Sequence, residues 1–289
     1  MKAHGTGNDF VLLPDPDDRV SLSPALVRAL CHRRFGLGAD GVIRIGAARP
    51  GSGADVFMDY WNADGSLAEM CGNGARCVAK HVVDAGLVDG DRVVVDTRAG
   101  VKSVAVIGRD RRGRAIRLRV DMGAPVVLGE VEVDVSPLTV LERTGAGGVA
   151  TAERLVVSAL TVSMGNPHAV LLVDDVAAAP VTSWGPTIAQ DPQFPHGTNV
   201  EFIAVPAPDR VVGRIWERGS GETMASGTGS SAMAVAAHLR AGAGRHVTVE
   251  LAGGELEVDW TAETLYVTGP AVEVGAGELD EAWLQASTT

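Results

Sequence analysis

One short pattern occurs twice, and it constrains the fold of this chain more than any other feature. "CGNGARCVAKHVV" starts at Cys71 and "SGTGSSAMAVAAH" starts at Ser226. Each has a small side chain that can carry a proton, then Gly-x-Gly, then an apolar run suited to a helix. A helix start leaves its first N–H groups unpaired and carries positive potential, and glycine lets an anion approach the backbone closely. The repetition predicts two halves that each present one helix N-terminus to a shared cleft. Such a cleft suits a carboxylate.

The rest of the chain fits that frame. With 289 residues, it sits at the size where a single core stops growing, so two domains are expected. "HGTGNDF" reads as a loop entering a strand, and "SPALVRALCHRR" as a helix capped by Ser23 with Pro24 at its first position. A second helix is expected from about 73 to 84 with Gly86 beyond its end, and a long apolar one over "SSAMAVAAHLRAG". Between and after them, "RVVVDT", "VKSVAVIG" and "RAIRLRVDMG" alternate with period two and predict antiparallel strands. A further strand pair is expected around "MGNPH". Residues 122–127, containing Pro125, are the expected crossover between the domains.

A formal charge of −11 argues against nucleic acid or an anionic membrane surface as partner, since both attract basic proteins. No run of 18 apolar residues occurs and no signal-like segment opens the sequence, so the expected location is the cytoplasm. Three cysteines make no disulfide framework. Cys31 and Cys77 are expected to pack as small hydrophobes. Cys71 differs because it stands at a helix start, where a thiol is expected to ionise at roughly pH 3.5–7.5.

Two rival readings are weaker. "GTGSSA" fits a dinucleotide-binding turn, but it does not directly follow a first strand, and its neighbours read as hairpins. Glu217, His168 and His196 have none of the spacings of a zinc site, so no metal is expected. Asn8, Asn62, Asn166 and Asn199 lie in glycine-rich or apolar contexts, where an asparagine either shapes a turn or contacts a ligand. Together with the adjacent Glu217 and Arg218 they suit a small zwitterion with more than one charged group.

In order along residues 4–232, "HGTGNDF", "NADGSLAEMCGNGARC", "MGNPH", "GTNVEF" and "ERGSGETMASGTGSSA" resemble the signature segments of the diaminopimelate epimerase family. The resemblance implies an α+β fold of two pseudo-symmetric domains. Each is a curved antiparallel sheet around a central helix, and the active site lies between them. The first would cover residues 1–120, rejoined by 268–289, and the second residues 121–267. It also implies a cytoplasmic isomerase that converts LL- to meso-2,6-diaminopimelate without cofactor or metal, and a possible homodimer. By the same resemblance Cys71 is one proton-transferring residue. Gly72, Asn73, Gly227 and Thr228 hold the reacting carboxylate. Asn8, Asn62, Asn166, Asn199, Glu217 and Arg218 recognise the distal centre, and His168 lies near the reacting one.

Ser226 departs from the family, which has its second cysteine there. A hydroxyl ionising like water, near 15.7, is about seven pKa units harder to ionise than a thiol, on the order of 10 kcal/mol. Four readings stay open from the sequence. The serine could be a replacement that traps substrate, or an active variant helped by a group such as Glu217. Alternatively, the chain could be a racemase or α,β-eliminating enzyme using one thiol, or a protein that mainly binds. A second departure is Gly41, which aligns with a position that is commonly glutamine in the family.

Overall fold

The computed structural model describes residues 1–136 and 155–287. The first half runs β1 (Lys2–Gly5), β2 (Asn8–Pro14), α1 (Pro24–Cys31), β3 (Gly41–Ala47), β4 (Val56–Asn62), α2 (Gly72–Asp84), β5 (Arg92–Thr97), β6 (Gly100–Arg109) and β7 (Ala115–Gly123). The second half continues with β8 (Val126–Asp134), β9 (Val156–Ser163), β10 (Pro167–Leu172), α3 (Val181–Ala189), β11 (Asn199–Ala207), β12 (Arg210–Glu217) and the short β13 (Gly221–Thr223). It ends with α4 (Gly227–Ala241), β14 (His246–Leu251), β15 (Gly254–Trp260) and β16 (Leu265–Pro270). Last come β17 (Val272–Gly275) and α5 (Glu281–Ser287).

The α+β class and its internal symmetry hold, with one refinement: the strands form a mixed sheet. β5, β6 and β7 pair antiparallel, as their alternation predicts. Four pairs are parallel: β2–β3, β4–β5, β10–β11 and β12–β14. Each of these pairs is spanned by one helix, α1, α2, α3 or α4 in turn. Parallel neighbours need a crossover of a dozen residues or more, and the four helices supply it. The chain crosses between the halves twice: β8, which follows β7, pairs with β9 of the second half, and β17, which follows β16, returns to pair with β1 of the first. β7 and β16 join the two halves edge to edge.

α2 and α4 lie inside one large apolar core. Ala75, Val78, Ala79 and Val82 of α2 and Ala232, Met233, Val235 and Ala236 of α4 have no exposed surface. A helix enclosed on nearly all sides must be small and apolar all round, and the alanine-rich sequence of α4 meets that need. Each fully buried valine or methionine adds roughly 1.5–3 kcal/mol relative to leaving it in water. Cys77 and Cys31 are buried in apolar clusters, as expected. Among the described residues no helix is long and apolar enough to cross a membrane, and no group of three His, Cys, Asp or Glu could hold a metal ion.

Candidate active site

Cys71 and Ser226 are the N-caps of α2 and α4, in nearly the same extended conformation, with φ/ψ of −140/119 and −139/129. The Gly74 N–H donates to Cys71 Sγ at 3.4 Å, and the Gly229 N–H donates to Ser226 Oγ at 3.2 Å. The two helices meet at their first residues. A Cβ placed on Gly227 would lie 3.3 Å from the Gly72 Cα, and one on Gly72 would lie 3.5 Å from the Gly227 Cα. Two positive helix ends in contact repel one another, and an anion between them relieves the repulsion.

That contact gives a first expected result. Gly227→Ala pushes the two helix starts apart by a few tenths of an ångström. Reacting groups held to close tolerance lose rate steeply when displaced, so activity should fall roughly 10- to 100-fold with little loss of stability. Steady-state rates and a thermal melt of the variant check both parts.

Asn73 stitches the two walls. Its Nδ2 donates to Asn8 Oδ1 and to the Ala225 carbonyl, both at 3.1 Å, and its Oδ1 accepts from Arg76 at 2.9 Å. The Cys71 thiol donates to the same Asn8 Oδ1 at 3.6 Å, and Asn8 Nδ2 donates to Asp40 at 2.8 Å. Asn8 therefore sits against the thiol. The Asn73 side chain is spent on structure, and its backbone N–H favours the Cys71 thiolate.

The expected low pKa of Cys71 is not what the structure gives. Burial pushes the thiol up to about 12, the N–H groups of Gly74 and Asn73 pull it back only in part, and the nearby Glu217 carboxylate raises it further. Desolvation by the enclosing walls outweighs the helix end. Without a ligand, then, Cys71 is an S–H at neutral pH and needs a base. Glu217, at the end of β12, is itself raised to about 7 by burial, although the Thr223 hydroxyl donates to it at 2.5 Å. It can accept a proton near neutrality.

This shift has a measurable sign. The folded value of Glu217 lies above its ordinary 4.5, so its contribution favours folding below that pH and is lost as pH rises through about 7. Glu217→Gln should therefore flatten the fall in stability between pH 5 and 8, by up to about 3 kcal/mol. Urea unfolding of both proteins at the two pH values reads it.

On the other wall Ser226 Oγ lies 3.5 Å from Thr228 Oγ1, and Asn166 Nδ2 donates to Thr228 Oγ1 at 3.4 Å. His168 Nε2 is 3.0 Å from Asn166 Oδ1, and His168 Nδ1 is 2.6 Å from Glu201 Oε1. Asn166 and His168 thus belong to the Ser226 side. Glu201, fully buried, escaped the sequence reading. Its signal was a carboxylate inside the apolar strand run "NVEFIAV".

Asn199 donates to the Pro167 carbonyl at 3.1 Å and accepts the Arg218 N–H at 2.9 Å. The Arg218 guanidinium donates to the His196 carbonyl at 2.7 Å and has no carboxylate partner among the described residues. Asn62 ends β4 with its amide held by Ser66 at 3.0 Å, and no hydrogen bond ties its side chain to the other site residues among those described. Gly41 has a structural cause: a Cβ there would meet the Trp61 carbonyl oxygen at 2.5 Å, so glutamine does not fit this backbone. Two surface cavities, beside Trp184 and Arg240 and beside Arg44 and Trp61, contain none of these residues.

The chain is similar to known proteins over nearly its whole length. The sequence profile described as diaminopimelate epimerase matches residues 1–128 and 160–274, which include both helix starts. The diaminopimelate epimerase of Moorella thermoacetica is 45% identical over 286 residues, covering 96% of this chain and 98% of its own. That of Corynebacterium glutamicum is 41% identical over 287 residues, covering 96% of each. Among solved structures, a probable proline racemase from Agrobacterium radiobacter superposes with a TM-score of 0.72 at 17% identity, covering 97% of this chain and 92% of its own. A hydroxyproline epimerase from Agrobacterium vitis gives 0.69 at 16%, covering 100% and 97%. These structures share the fold. Relatives above 40% identity over nearly their full length, with a profile spanning both halves, show that the chain belongs to the diaminopimelate epimerase family.

Proposed function

We propose that this protein interconverts LL- and meso-2,6-diaminopimelate by cofactor-independent proton transfer at the α-carbon, supplying lysine and peptidoglycan precursor synthesis. The observation that carries the reading is the meeting of two helix N-termini at Gly72 and Gly227, each capped by a proton-bearing side chain. The substrate α-carboxylate sits on the N–H groups at the two starts, around Gly72, Asn73, Gly227 and Thr228. As the α-proton leaves, charge moves onto that carboxylate, where preorganised N–H donors in a dry site stabilise it best.

The protons balance over one turnover, and moving one from Cys71, at about 12, to Glu217, at about 7, is uphill and forms part of the barrier. Glu217 takes the Cys71 thiol proton, the thiolate removes the α-proton from one face, and Ser226 delivers its hydroxyl proton to the other. Glu217 then returns its proton to the serine alkoxide through solvent, which restores the starting state. His168 acts from behind Ser226. Asn8 and Asn166 hold the reacting end from the two walls. Asn62, Asn199, Glu217 and Arg218 recognise the distal centre, with the Arg218 guanidinium, which has no carboxylate partner among the described residues, suited to its carboxylate. The division into residues 1–120 with 268–289 and residues 121–267, a cytoplasmic location and a homodimer belong to the same proposal.

Incubating the protein separately with each isomer and resolving the products tests this reading. The same LL-to-meso ratio should be reached from either side. Conversion of neither isomer would overturn it. Ser226 itself favours one second reading, a protein that binds the compound without turning it over, and calorimetry on the same samples identifies that outcome.

A further inference from the structure

The buried pair behind Ser226 has a proton count that fixes the direction of a hydrogen-bond chain. Glu201 and His168 are at most 1% exposed, and Glu201 Oε2 has no hydrogen-bond partner among the described residues. Glu201 Oε1 lies under the first turn of α4, 3.2 Å from where a Cβ on Gly229 would stand. A carboxylate with a bare buried oxygen beside a neutral imidazole would leave a net charge in a dry site, which is costly. The pair avoids that by holding one further proton. That proton lies between Oε1 and Nδ1, because on Oε2 it would be a buried O–H with no acceptor: either the carboxyl donates to Nδ1, or the carboxylate faces an imidazolium. In both states Nε2 carries a hydrogen.

Everything downstream is then oriented. Nε2–H donates to Asn166 Oδ1 at 3.0 Å, which turns the Asn166 NH₂ toward Thr228 Oγ1. With a lone pair of Oγ1 so engaged, the Thr228 O–H is free to point at Ser226 Oγ, 3.5 Å away. The Gly229 N–H already donates to the same oxygen. Two donors converge on Oγ, and the serine's own hydrogen is left to face the cleft.

We propose that Glu201 is a positioning residue that acts through His168, Asn166 and Thr228 to aim donors at Ser226 Oγ, so that this hydroxyl gives up its proton to the substrate carbon. The inference rests on the reaction proposed above. It explains how serine serves where the family has a thiol: the alkoxide formed as the proton leaves is met by donors already in place. The asparagine passes no proton. It transmits only the direction of the hydrogen bonds.

Two measurements test it. In the substrate-free protein, nitrogen-detected NMR of the His168 ring should show Nε2 protonated. A bare Nε2 would overturn the proposal whatever the substrate proves to be. The second is a double-mutant cycle between positions 201 and 226. Glu201→Leu should lower epimerisation about tenfold or more with Ser226 present and several-fold less in the Ser226→Cys background, because a thiol needs less help to ionise. Glu201→Gln, whose amide can donate to Nδ1 and keep the Nε2–H, should recover most of the loss. An equal loss in both backgrounds, or a glutamine as damaging as leucine, would mark Glu201 as merely structural. Absence of epimerisation from every variant, including Ser226→Cys, would refute the reaction, with the NMR result still deciding the orientation.

Discussion

Replacing Ser226 by cysteine is expected to raise the epimerisation rate by two orders of magnitude or more. A free hydroxyl is about seven pKa units harder to ionise than a thiol, on the order of 10 kcal/mol. The Gly229 N–H and the Thr228 hydroxyl offset part of that cost. Hydrogen bonds to a charged group contribute roughly 1.5–3 kcal/mol each, so a deficit of several kcal/mol remains for the thiol to remove. Folding should be little changed, because Cys71 caps α2 in nearly the same geometry that a cysteine at 226 would adopt on α4. Comparing kcat/KM in both directions for the two proteins, alongside thermal melts, reads the effect. No gain would mean that proton delivery at 226 does not limit the rate.

Cys71→Ala is expected to have the opposite and larger effect. A positioned general base contributes roughly 100- to 10,000-fold, and here no second thiol could take over, so interconversion should fall by about four orders of magnitude. Loss of the cap should cost about 1 kcal/mol. Cys71→Ser separates the two roles, since a hydroxyl can still accept the Gly74 N–H. Its stability should match the parent while its turnover stays near that of the alanine variant. Residual activity within tenfold of the parent would mean that another group removes the α-proton.

The contrast between these two positions shows what could be read from the chain alone. The helix starts were legible because capping and Gly-x-Gly are local: Cys71 and Ser226 needed only their own neighbours to be recognised. The parallel pairs were not. Whether β4 meets β5 or β12 meets β14 depends on where a helix carries the chain, and a period of two is the same in either orientation. Helix α3 was hidden by Pro186, which breaks the helical pattern in "VTSWGPTIA". Burial of Val181 and Ile188 against strand β11 holds the helix regardless.

At the site, the identity of the groups was legible but their protonation was not. The helix end beside Cys71 argued for an acidic thiol, yet burial wins, and only the assembled walls supply that burial. Asp40 and Glu201 went unnoticed for a related reason. Asp40 matters through its contact with Asn8, and Glu201 through its contact with His168 on a different strand. Neither partnership leaves a mark in local sequence. Asn8 and Asn166 were likewise recognisable as ligand-facing types, but tertiary pairing puts them at the thiol and the hydroxyl.

The two-sided transfer between Cys71 and Ser226 is tested most directly by one turnover of LL-diaminopimelate in deuterated water, with mass and NMR analysis of the meso product. Removal by one residue and delivery by another, both exchanged with solvent beforehand, puts one deuteron on the inverted carbon of every product molecule and none on the distal centre. Product that keeps the original proton at the inverted carbon would contradict it, because a single group would then have carried that proton from one face to the other.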